Sequence, residues 1–99
     1  MHIQFERTGG FAGMRLAVEL TEDDLSEDEL KALQTALQQA DFFELPQKST
    51  GGGQPDRFIY QITIESGARS HTIEMGEGDI PEKVQPLIQQ LNLLARQHR

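Results

Sequence analysis

Apolar residues recur along the chain with two different periods. In "HIQFER", residues 2–7, Ile3 and Phe5 alternate with His2, Gln4 and Glu6. In "MRLAVEL", residues 14–20, Met14, Leu16, Val18 and Leu20 alternate with Arg15, Ala17 and Glu19. A period of two places every second side chain on one face of a pleated strand, so both segments predict half-buried antiparallel strands. Thr8 to Gly13 lie between them, a long connection for a hairpin, where about two to five residues are usual. "RFIYQITIE" (57–65) alternates again with Phe58, Tyr60, Ile62 and Ile64 inward. Ser66-Gly67 supplies a turn, and "RSHTIEM" (69–75) returns with His71, Ile73 and Met75 on one face.

Two segments carry the helical period instead. In "TEDDLSEDELKALQTALQQADFF", Ser26 and Glu29 have capping-box spacing, and Leu25 with Leu30 forms a hydrophobic staple across the same terminus. Leu30, Leu33, Leu37 and Ala40 make the apolar stripe, with Lys31, Gln34 and Gln38 facing water. Phe42, Phe43, Leu45 and Pro46 end this helix and return one aromatic to the sheet. In the last segment Asp79 and Glu82 repeat the capping-box spacing, and Pro81 suits a first turn. Val84, Leu87, Ile88, Leu91, Leu94 and Ala95 form the apolar face. Pro86 removes a backbone donor, so residues 79–84 read as a short turn and Pro86 as the effective start of the long helix. The element order is ββαββα. It predicts an α+β fold, with a four-stranded, largely antiparallel sheet, both helices on one face and the other face partly solvated. Ile3, Phe5, Leu16, Val18, Leu33, Leu37, Tyr60, Ile62, Ile73, Leu87, Leu91 and Leu94 are the predicted core.

Length and charge narrow the function. Ninety-nine residues make one domain over 1–99, and "QKSTGGGQPD" (47–56) reads as its flexible glycine-rich connection. A formal charge of −7 opposes binding to a nucleic-acid backbone or an anionic membrane. The absence of cysteine excludes disulfides and thiolate metal sites. "MHIQFER" is strand-like rather than a secretory leader, and no apolar run reaches membrane-spanning length, so a cytoplasmic protein, monomeric when free, is expected.

No reaction centre emerges from the remaining motifs. His2, His71 and His98 are scattered, without ligand spacing for a metal. Ser26, Ser49, Ser66 and Ser70 read as cap, loop and turn residues rather than nucleophiles. The acidic run "TEDDLSEDE" lacks the central glycine and terminal glutamate of a calcium loop and suits a helix N-terminus. "TGGG" precedes a strand rather than a helix, which removes the anion-site geometry of a phosphate loop. The chain reads as a binding protein rather than an enzyme, with no cofactor or metal of its own. "RTGGFAGMR" (7–15) is the exception to its otherwise ordinary pattern, because Phe11 stands among glycines at a loop tip. It is either a plug over the end of the core or an anchor presented to a partner.

The strand ending in "FERTGGFAGMR", then "ADFFELP", a glycine-rich gap, "PDRFIYQITIE" and "HTIEM" together resemble the emfourin family over about residues 1–96. Emfourins are small bacterial proteinaceous inhibitors of thermolysin-like zinc metallopeptidases, protealysin being the founding target. The resemblance implies a thermolysin-like, protealysin-like peptidase as partner, and no catalytic residue, cofactor or metal in this chain. Such peptidases favour a bulky apolar side chain just after the scissile bond, and Phe11 suits that pocket. The inferred peptidase contacts are Arg7, Gly9, Gly10, Phe11, Ala12, Gly13 and Arg15. They follow from the loop itself, since the family does not assign them. The alternative is a non-inhibitory interaction domain that regulates or chaperones a peptidase.

Overall fold

Each alternating segment forms a strand, and each segment of helical period forms a helix. The computed structural model describes residues 1–9, 14–47 and 58–98. Strands β1 (His2–Gly9), β2 (Met14–Thr21), β3 (Phe58–Ser66) and β4 (Arg69–Gly76) form one sheet in the order β2-β1-β3-β4, antiparallel at every pairing. Helices α1 (Glu27–Ala40) and α2 (Gln85–His98) complete the order ββαββα.

β1 is central, and Phe5 lies between Val18 of β2 and Ile62 of β3. On this face Ile3, Phe5, Leu20, Tyr60, Ile62, Ile64, Ile73 and Met75 are buried, in one cluster with Leu33, Ala36 and Ala40 of α1 and Leu87, Ile88, Leu91, Leu94 and Ala95 of α2. The opposite face carries Gln4, Glu6, Arg15, Glu19, Gln61, Thr63 and Glu65, none of them buried. Both helices therefore cover a single face. Of the predicted core, Leu16, Val18 and Leu37 are only half-buried. Leu16 and Val18 belong to edge strand β2, where the helical layer gives out. Ala36, absent from the predicted stripe, takes the inward position beside Leu33 and Ala40 and leaves Leu37 at the flank.

α1 begins as its sequence requires. The Ser26 hydroxyl accepts from Glu29 N–H at 3.1 Å, while Ser26 N–H donates to the Glu29 carboxylate at 2.8 Å. It ends at Asp41, whose φ of 50° and ψ of 50° are left-handed, a conformation that short polar residues tolerate. The reversal sends a 3₁₀ turn, Phe42–Glu44, back over the sheet and buries Phe42. His71 Nε2 is 2.7 Å from the Leu45 carbonyl, and Glu74 N–H donates to the Gln47 carbonyl at 2.8 Å. This ties the returning chain to β4.

Three boundaries differ from the sequence pattern. The β1–β2 ladder continues to the Gly9–Met14 pair, so the connection is residues 10–13, shorter than the expected Thr8–Gly13. The β3–β4 turn is Gly67-Ala68, one residue later than Ser66-Gly67, because Ser66 pairs with Arg69 and the positive φ of 61° falls on Gly67. A two-residue hairpin with glycine first matches the right-handed strand twist. Before α2 stand two 3₁₀ turns, Glu77–Asp79 and Glu82–Val84, and Asp79 closes the first instead of capping a helix. Pro86 falls in the first turn of α2, where its missing N–H leaves no helical bond unmade. The glycine-rich connection expected at 47–56 lies, Gln47 apart, outside the described residues.

Candidate functional site

The interest centres on the end of the sheet where β1 runs out and β2 begins. Gly9 pairs with Met14 on one side and with Phe58 on the other, so the ends of three strands meet there. Its φ of 96° is a backbone conformation open to glycine and strained for other residues. Gly10, Phe11, Ala12 and Gly13 follow, outside the described residues.

The two arginines that flank this loop lie on opposite faces of the sheet. Arg15 is on the open face, where its Nη2 is 2.9 Å from Glu6 Oε2. The pair is solvated and stabilises little, about 0–1 kcal/mol, so Arg15 is readily released to another carboxylate. Arg7 is on the helix face and half-buried. Its Nη1–H donates to Asn92 Oδ1 in α2 at 3.1 Å, and its Cζ lies 4.7 Å from the centre of the Phe58 ring. Phe58 is itself fixed, since its N–H donates to Glu77 Oε1 at 3.2 Å. Arg7 and Arg15 thus bracket the loop from its two sides rather than forming one basic patch.

Asn92 escapes a sequence reading that looks only for charged or aromatic groups. One signal for it does exist: it sits four residues after Ile88 and three before Ala95, a polar residue beside the buried stripe. Such a position needs a partner, and Arg7 is that partner.

His2 and His71 are not brought together. His2 is on the open face, with Nε2 2.8 Å from Glu19 Oε1 and Nδ1 3.6 Å from Glu65 Oε2. His71 is on the helix face of β4, edge-on to Phe42 with ring centres 5.6 Å apart. Because a carbonyl only accepts, the contact to Leu45 requires the proton on Nε2 of His71. His98 ends α2. Among the described residues no group of three His, Asp or Glu side chains is placed to hold a metal ion. No helix among them is long and apolar enough to cross a membrane.

Against known protein families, the Emfourin model matches residues 5–92. The chain belongs to the emfourin family. The match runs from the middle of β1 into α2, and so takes in the loop-proximal half of β1, all of β2 and most of the core beneath them. No curated protein and no solved structure matches the chain. Emfourins are an inhibitor family, and membership points to metallopeptidase inhibition with a peptidase as partner.

Proposed function

We propose that the protein is a reversible inhibitor of thermolysin-like zinc metallopeptidases, protealysin-like ones included, and that the β1–β2 loop enters the peptidase's active-site cleft. The observation that carries this reading is the emfourin match over residues 5–92, which includes β2 and the half of β1 next to the loop. The zinc belongs to the peptidase, and the inhibitor supplies shape. Phe11 fills the apolar pocket that accepts the side chain after the scissile bond. Gly9, Gly10, Ala12 and Gly13 let the backbone approach closely, and Arg15 exchanges Glu6 for a carboxylate on the cleft rim. The Gly9–Met14 pair holds the two ends of the loop together at its base. Less is then lost in ordering the loop on binding.

Titration of the purified protein into thermolysin, with hydrolysis of a small peptide as readout, tests the reading. Competitive loss of activity near one equivalent supports it. Stable binding with undiminished turnover replaces it with a regulatory or chaperone-like role.

A further inference from the structure

On the helix face of β1 and β3 the ring contacts follow one diagonal. Phe5 lies opposite Ile62 but stacks on Tyr60, with centroids 6.0 Å apart and planes at 21°. Arg7 lies opposite Tyr60 but covers Phe58 at 4.7 Å. Both β1 side chains reach the β3 residue two places nearer the loop. The guanidinium therefore extends the ring ladder by one rung beyond the last aromatic of β1. Its remaining contact crosses to a different layer, where Asn92 of α2, 85 residues further along the chain, accepts its N–H. Two positions later comes Gly9, at positive φ and paired with both Met14 and Phe58 at the end of the ladder.

We infer that Arg7 is a positioning residue, a strut that fixes the Gly9–Met14 end of the β1–β2 ladder against β3 and α2, and not a group that reaches the peptidase. The inference rests on the inhibitory reading and refines it. A glycine at positive φ offers little resistance of its own to reorientation. The orientation of Gly9 is then set by whatever holds the strand just before it, and Arg7 is held at two points on two elements. Its ring contact uses the planar, weakly hydrated character of guanidinium, and its hydrogen bond uses one arm of the fork. Turned toward the peptidase, Arg7 would loosen its hold on both, whereas Arg15 gives up only a solvated ion pair.

The test uses Asn92→Ala, which removes the acceptor and leaves the Arg7 charge intact, together with Arg7→Met, Arg7→Lys and the Arg7→Met/Asn92→Ala double variant. Two quantities are measured: the inhibition constant against thermolysin, and the backbone amide order parameters of Gly9 and Met14 in the free protein. If Arg7 is a strut, Asn92→Ala and Arg7→Met each weaken inhibition about five- to tenfold. The double variant is then within about twofold of Arg7→Met, because the two residues act as one unit. Arg7→Lys does not restore inhibition, and the order parameters fall from about 0.85 toward 0.6. Unchanged inhibition and unchanged order parameters in Asn92→Ala, with inhibition restored by Arg7→Lys, overturn the inference in favour of a direct ion pair. Should the unaltered protein leave thermolysin fully active, the inhibitory reading fails by itself. The order parameters then decide the strut alone, lowered values supporting it and unchanged values overturning it.

Discussion

At the scale of single residues, the sequence marks the unusual ones but not their partners. Phe11 among glycines is visible at once, and its two roles predict opposite outcomes. As an anchor, Phe11→Ala weakens inhibition about 30- to 1000-fold, the loss of roughly 2–4 kcal/mol of a buried aromatic hot spot, and leaves the melting temperature nearly unchanged. As a plug it would lower the melting temperature and leave the inhibition constant alone, so both are measured on the one variant. His71 is legible as a half-buried strand histidine, but its contact with the Leu45 carbonyl is not, because that depends on a left-handed reversal at Asp41. Removing it leaves a carbonyl short of a donor. His71→Ala should cost about 1–3 kcal/mol in urea unfolding while inhibition by the folded protein is unaffected. Loss of inhibition with stability intact would give His71 a part in binding that its position on β4 does not suggest. Arg7 and Asn92 were illegible as a pair for a simpler reason, since no local pattern relates residues in a first strand and a last helix.

At the scale of elements the two periods carried most of the information, and the departures have physical causes. A hairpin ladder extends as far as backbone pairing allows, so β1 absorbed Thr8 and Gly9, which an alternation of apolar side chains does not mark. The stripe of α1 was drawn through leucines, and the helix instead turned Ala36 inward because a small side chain permits close approach to α2. Leu33 is fully buried at the centre of that stripe. Leu33→Ala should therefore destabilise the protein by about 2–5 kcal/mol. Ser26→Ala, which removes only the cap, should cost about 1 kcal/mol. Equal effects in denaturant unfolding would mean that α1 is held by its terminus rather than by its packed face.

For the molecule as a whole, the α+β class, the ββαββα order and the placement of both helices on one face followed from amphipathicity, and the family was legible from its motifs. The strand order β2-β1-β3-β4 was not, because period-two patterning tells which face is buried and says nothing of which strand lies beside which. That order has a consequence for how the fold is reached. The two hairpins β1–β2 and β3–β4 are local, but the sheet becomes continuous only through the β1–β3 seam, whose strands are separated in the chain by β2, α1 and the segment that follows it. Closing so long a loop costs entropy before any contact rewards it, so the seam belongs in the rate-limiting step. Ile62→Val, a change large enough to read at about 0.5–1.5 kcal/mol, should act mainly on the folding rate, with a φ-value above about 0.5. A value near zero would mean that the hairpins dock only after the barrier. During synthesis the first hairpin emerges with one edge of its inner strand bare, and that edge stays open to wrong partners at least until Glu65, its last β3 partner, has been added.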